Sequence, residues 1–397
     1  MRIGFATPEY VTESYFSGGL ANSVHRTSIG LRSRGHDVHV FTRSELADED
    51  FLHDGIQVHR VAGGRLARWI TRASRGHLRE SSEWIDFSAR AWRRIARIHR
   101  RSRFDVLQFP NYSGCGVVSS LLLPVPSAVR LSTYGPEWNE LAGIPRSADR
   151  AVGEQLEALQ LRLARHVYAP SRNVQEMALS RARLEKVEVI PTPFFLESDE
   201  LDPSLYRERF EGKQYLLFFG RYQLHKGFHI LAQALDEVLE RNPGAYAAFV
   251  GVDLPSVLAS SMREYAERAC PRHRARLIFV EQTPHPRLYP VIAGSRLVVL
   301  PSLVDNLPNA CLEAMALQKA VVGTYGTSLE ELLTDGVTGF LVPPGDSRAL
   351  ADKLNAVWNR PDLDKIGRAA AERVKEFDPQ ITIPILEDYF RSIIEVQ

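Results

Sequence analysis

The chain has 397 residues, 44% hydrophobic and 24% charged, the balance of an ordinary globular protein long enough for two cores. Its formal net charge of +1 argues against nucleic acid as a partner, and no run of about 18 apolar residues is present to cross a bilayer. Three cysteines, Cys115, Cys270 and Cys311, are too few and too scattered for a disulfide framework or a zinc pattern, which points to a reducing, cytoplasmic setting.

The first strand is predicted at once, over residues 2–6, with no leader pattern ahead of it. Gly18 and Gly19 then precede a helix carrying Leu20, Val24, Ile29 and Leu31, which stops at Gly35. A second strand follows over residues 37–42. This βαβ opening sets a glycine pair before a helix N-terminus, where backbone N–H groups can meet an anion or a sugar; a plain turn is the alternative. Asp48, Glu49 and Asp50 make an acidic run without flanking ligands, which reads as a solvated loop.

Residues 60–103 hold thirteen arginines, and no lysine occurs before Lys186. Trp84, Ser88, Trp92, Ile95 and Ile98 recur at helical spacing with arginines on the other faces. Two readings stand: a core-packed helix with a solvated basic face, or a basic amphipathic surface that docks on anionic lipid. Strands are next predicted over 105–109, 128–132, 167–169 and 187–190, with a helix over 154–165. Strand–helix alternation implies a parallel sheet covered on both faces. The proline-rich, acidic stretch 191–213 reads as a linker.

The second half repeats the architecture. A strand ending at Gly220 leads into GRYQLHKG and a helix over 228–240; strands follow over 245–251, 276–280 and 297–300. Arg221 and Lys226 lie in the loop at a strand's carboxyl end, where open α/β sheets bind ligands and two cations suit a diphosphate. The stretch 298–315 reads as strand, loop and helix, with Pro308 as the first helical residue. Its two carboxylates, Asp305 and Glu313, stand with seven residues between them. No Lys or Arg occupies the positions three and four away from Glu313, so it is solvated, finds polar partners elsewhere, or meets a ligand with adjacent hydroxyls. An exposed carboxylate favouring the helix N-terminus is the other reading.

Three segments together resemble glycosyltransferase family 4: GRYQLHKG at 220–227, PSLVDNLPNACLEAMA at 301–316 and EELLTDGVTGFLVPPGD at 330–346. The resemblance spans nearly the whole chain. It implies the GT-B fold, α/β with two Rossmann-like domains whose parallel sheets face each other across a cleft. Residues 1–195 would form an acceptor-binding domain and 196–375 a nucleotide-sugar-binding domain, with 376–397 crossing back onto the first. It also implies transfer from a nucleotide-diphosphate sugar, a UDP-sugar first among candidates, to a hydroxyl of a sugar, lipid-linked or small-molecule acceptor. Retention at the anomeric carbon, without cofactor or metal, goes with it. By this resemblance Arg221 and Lys226 hold the diphosphate and Asp305 lies beside the donor sugar. Glu313 takes the ribose hydroxyls, Asn306, Leu307 and Asn309 complete the donor loop, and Gly18 and Gly19 form the N-terminal glycine loop. The chain departs from the family in three places. Asp305 replaces a usual Glu, Ser132 stands where a His is common on the acceptor side, and Thr327 and Ser328 replace a glycine pair. An epimerase or hydrolase on the same fold, or a non-catalytic nucleotide-binding subunit, are the competing readings.

Overall fold

The computed structural model describes residues 1–13, 19–132, 134–197 and 200–395. The chain forms two compact units, Met1–Glu137 with Pro145–Pro193 and Phe377–Gln397, and Trp138–Ile144 with Phe194–Glu376.

Unit 1 is built on eight strands: β1 Arg2–Thr7, β2 Asp37–Ser44, β3 Glu49–His53, β4 Ile56–Ala62, β5 Val106–Pro110, β6 Ser127–Arg130, β7 His166–Ala169 and β8 Glu188–Val189. Their order is β3-β4-β2-β1-β5-β6-β7-β8, parallel throughout except for the β3–β4 hairpin at the edge. The central strands are apolar along their length because helices cover both faces, which leaves no solvent side to demand alternation. The last helix, Pro379–Glu395, packs on Gly19–Ser33: a Cβ at Gly30 would stand 2.6 Å from Ile383, so only glycine permits this approach. Its buried Glu387 pairs with His36 and, at 2.5 Å, with Arg34.

The acidic run is exposed to solvent, as expected, but it is not a plain loop. Glu49 and Asp50 open β3, and the carboxylates meet arginines: Asp48 pairs with Arg90 at 3.0 Å, Asp50 with Arg94 at 2.6 Å and Glu49 with Arg60 at 2.5 Å. An edge strand carrying paired charges resists adding a foreign strand. The arginine-rich stretch divides in two. Helix Arg79–Arg101 buries Trp84, Phe87 and Ala91 in one cluster with Val61 and Cys115, and Ile95 in another with Phe41 and Phe109, as a core-packed helix should. Helix Arg65–Ala73 buries no residue and leaves Trp69 68% exposed.

Unit 2 carries six parallel strands, β9 Gln214–Phe219, β10 Ala245–Val250, β11 Leu277–Val280, β12 Leu297–Val299, β13 Val321–Thr324 and β14 Phe340–Val342, in the order β11-β10-β9-β12-β13-β14. Its core joins Leu216, Phe218 and Phe249 to Phe228, Leu231 and Leu235 of helix Phe228–Arg241. The stretch read as a linker contributes here: helix Ser204–Arg209 sits within it, and Leu205 and Phe210 are buried. The sheet's winding reverses at β9, flanked by β10 and β12, so the loops leaving β9 and β12 emerge side by side.

Candidate active site

Gly220 ends β9 with φ +123, and Gly227 caps the next helix with φ +68. A Cβ on Gly227 would lie 1.8 Å from the Pro301 carbonyl oxygen, so the loop after β9 closes on the loop after β12 only through glycine. The Leu303 N–H donates to the His225 carbonyl at 2.8 Å and ties the two loops again. Arg221 and Lys226 therefore share one end of the sheet with Asp305.

Lys226 Nζ donates to Asp305 Oδ2 at 2.7 Å. The Asp305 side chain is only 9% exposed and the Lys226 side chain 35%, so the pair is held from below and open on the lysine side. Ser302 Oγ donates to the same carboxylate at 3.2 Å, and the Asn306 N–H at 2.9 Å. Thr324 Oγ1 donates to the Ser302 carbonyl at 2.5 Å, and Ser328 Oγ to the Asp305 carbonyl at 3.0 Å. Ser328 thus pins the loop that bears Asp305. An ammonium has three donors and one is spent on Asp305, which leaves two for phosphate oxygens.

Beside the lysine, His225 is buried and its ring packs 4.9 Å from that of Trp138. Burial first, then the Lys226 charge, pushes its imidazole down to about 3, so it stays neutral at physiological pH. Its Nδ1 and the Oδ1 of Asn306 are buried without a hydrogen-bond partner among the described residues. Two orphaned polar atoms beside an ammonium and a carboxylate mark a place built to receive a polar ligand.

Helix Asn309–Ala316 begins one residue later than its sequence suggested, with Pro308 in an extended conformation as its cap. Leu307 and Asn309 are half-buried at this turn. Glu313 is not an exposed helix-terminal carboxylate: its side chain is 6% exposed and lies 3.6 Å from His285 Nε2. The other ring nitrogen of His285 reaches Glu197 at 2.9 Å, and the ring stacks on Tyr289 with centroids 5.2 Å apart. His285 was not singled out in the sequence. Its one signal is a histidine at a helix start between two prolines, in TPHPRL.

A family model described as Glycosyltransferase Family 4 matches residues 17–197, and one described as Glycosyl transferases group 1 matches residues 213–360. The chain belongs to glycosyltransferase family 4. A D-inositol 3-phosphate glycosyltransferase of Kribbella flavida is 28% identical over 409 residues, covering 96% of this chain and 92% of the relative. Among solved structures, sucrose-phosphate synthase from Thermosynechococcus elongatus matches with a TM-score of 0.81 at 18% identity, covering 100% of both chains. Anabaena HepE in complex with UDP-glucose matches with a TM-score of 0.71 at 20% identity, covering 98% of this chain and 99% of that one. The fold is GT-B.

Unit 1 of the glycosyltransferase has its own polar cluster at the carboxyl ends of β5 and β6. Asn111, the residue after β5, donates from Nδ2 to Glu157 at 2.8 Å and accepts the Ser132 N–H at 2.8 Å. The Gly135 N–H donates to the same Glu157 oxygen at 3.0 Å. Glu157 is buried, and that burial pushes its carboxyl up to about 7. The Ser132 hydroxyl is buried with no partner among the described residues. Gly19 is exposed at the start of its helix, and Gly18 lies outside the described residues. Among the described residues no helix is long and apolar enough to cross a membrane.

Proposed function

We propose that this glycosyltransferase moves a sugar from a nucleotide-diphosphate donor, a UDP-sugar first among candidates, to an acceptor hydroxyl with retention at the anomeric carbon. The observation that carries the reading is the convergence of Arg221, Lys226, Asp305 and Glu313 at the adjoining strand ends of β9 and β12. Arg221 and Lys226 take the diphosphate and supply the positive charge that its departure calls for, so no metal is needed in that role. Asp305 faces the donor sugar, Glu313 accepts from the ribose hydroxyls, and Asn306, Leu307 and Asn309 line the same turn. By the resemblance, Gly18 and Gly19 match the family's N-terminal glycine pair, and Ser132 is the acceptor-side hydroxyl. The bond from the anomeric carbon to the diphosphate breaks as the acceptor oxygen bonds on the same face, and the leaving phosphate takes the acceptor proton. The HepE complex with UDP-glucose and the relative's name support a UDP-sugar and a polyol phosphate as first substrates to try.

The test is to incubate each nucleotide sugar with and without sugar, lipid-linked and polyol-phosphate acceptors and follow the anomeric protons by NMR. An acceptor-dependent product of unchanged anomeric configuration is expected. Turnover without any acceptor would favour the epimerase or hydrolase reading; nucleotide binding with no turnover would favour a partner subunit.

A second reading concerns location. Helix Arg65–Ala73 exposes Trp69 together with Arg65, Arg68 and Arg72, the make-up of a surface that docks on anionic lipid. Co-sedimentation with phosphatidylserine vesicles should rise with the anionic fraction and fall with salt. No binding at low salt would return these arginines to solvent.

A further inference from the structure

On unit 1, away from every residue used above, two imidazoles and a carboxylate converge. The β3–β4 hairpin turns at Asp54 and Gly55, with φ +48 and +72. Arg32 Nε donates to the Gly55 carbonyl at 3.0 Å and draws the turn onto helix Gly19–Ser33. His25 lies two helical turns before Arg32 on the same face, so it meets the turn alongside it. His25 Nε2 is 3.3 Å from Asp54 Oδ2, and His53 Nε2 is 3.5 Å from the same oxygen. One ligand atom from each of the three residues lies within 4.8 Å of the others.

We infer that His25, His53 and Asp54 form a site for a divalent transition metal, zinc being the first candidate, that fastens the β3–β4 turn to helix Gly19–Ser33. Ligands at about 2.0–2.1 Å from a tetrahedral zinc stand about 3.3–3.4 Å from one another, close to the 3.3 and 3.5 Å between Asp54 and the two histidines. Imidazole nitrogens with one carboxylate suit zinc, nickel or cobalt rather than magnesium or calcium. A second layer is in place. The hydroxyl of buried Tyr10 lies 3.0 Å from His25 Nδ1, and there it accepts the Nδ1 proton so that the Nε2 lone pair faces the metal. The Tyr10 ring meets both imidazoles edge-on, at 5.6 and 6.3 Å, and orients them. Asp54 is exposed, so the fourth position is open to water.

The test uses the full chain, free of any histidine tag and stripped with chelator, titrated with zinc chloride in a calorimeter. One zinc per chain is expected in wild type, with affinity reduced at least tenfold in His53→Ala and in Asp54→Asn. His53 is half-exposed at a turn, so its loss should leave the fold intact, and circular dichroism of the metal-free variant checks this. Cobalt should give a visible d–d band in wild type and not in His53→Ala. Zinc should raise the unfolding temperature of wild type and leave that of His53→Ala unchanged. No stoichiometric binding in wild type, or equal affinity in His53→Ala, would overturn the assignment and leave a hydrogen-bonded His–Asp–His cluster.

Discussion

The two units place polar clusters at the same topological address and give them opposite electrostatics. In unit 2 the strand ends present ionised groups: Lys226 on Asp305, Arg221 beside them, and Glu313 next to His285. In unit 1 the corresponding ends hold a neutral network, in which Asn111 and the Gly135 N–H satisfy a carboxyl that burial keeps protonated up to about pH 7. Mobile charge suits a diphosphate, whose own charges must be met. On the proposed reading, a neutral floor suits a hydroxyl acceptor, which a buried carboxylate would hold in competition with the reaction. On that reading, the same α/β geometry meets the diphosphate in one unit and the acceptor hydroxyl in the other through the side chains alone.

The sharpest way to break this contrast is to neutralise unit 2. Arg221→Ala with Lys226→Ala removes the charge-assisted contacts, each worth about 1.5–3 kcal/mol. Calorimetry should show UDP affinity falling by roughly two orders of magnitude or more. Unchanged affinity would mean that the diphosphate is held elsewhere.

Acid and base sharpen the contrast next. Glu157 has its pKa raised in the folded chain to about 7, so its contribution is full below about pH 4.5 and is lost as pH rises through 7. His225 has its pKa lowered to about 3, so its contribution is present above about pH 6.5 and is lost as pH falls towards 3. The shifts amount to roughly 3 kcal/mol for Glu157 and roughly 5 kcal/mol for His225. Glu157→Gln should therefore gain stability over wild type as pH rises from 5 to 7.5. His225→Gln should gain as pH falls from 6.5 to 5. Thermal unfolding at half-unit intervals reads both, and parallel curves would remove burial as the source. Buried His39 of unit 1, pushed down to about 4 chiefly by burial, adds the same acid lability to all three proteins.

A third cut separates sugar from nucleotide. Asp305 anchors Lys226, so Asp305→Ala should affect the donor twice: it removes the group proposed to face the sugar and it releases the ammonium. Turnover with the sugar donor should fall by 10-fold or more, about 1.4 kcal/mol, while free UDP weakens by less because Lys226 can still reach a phosphate. An equal loss for both would make Asp305 a holder of Lys226 alone.

What was legible in the sequence is what local spacing encodes. The strand–loop–helix carrying Asp305 and Glu313 stood out because a short apolar run, a proline and a helical pattern follow one another within twenty residues. The segment GRYQLHKG stood out as a loop bounded by glycines, though the carbonyl that Gly227 must clear did not. The misses are non-local. Asp48 and Asp50 looked unpartnered because their arginine partners come some forty residues later, on a helix that had to be folded first. Glu157 was not singled out within its predicted helix, and only tertiary packing reveals that it faces Asn111. His285 reaches Glu313 across twenty-eight positions, and no periodicity connects them.

That last contact yields the smallest expected effect and the finest test. His285 bridges Glu197 at 2.9 Å and Glu313 at 3.6 Å, the second too long for a strong hydrogen bond. Its ring also stacks on Tyr289, so it is held in place even without that contact. If its role is to aim the Glu313 carboxylate at ribose hydroxyls, His285→Ala should weaken UDP by two- to fivefold, under about 1 kcal/mol, the scale of a half-exposed ion pair. Inorganic pyrophosphate, which has the charges and lacks the ribose, should bind wild type and variant alike. Equal losses for both ligands would mean that His285 shapes the whole strand end rather than Glu313. Loss with pyrophosphate alone would transfer the diphosphate role to His285 itself.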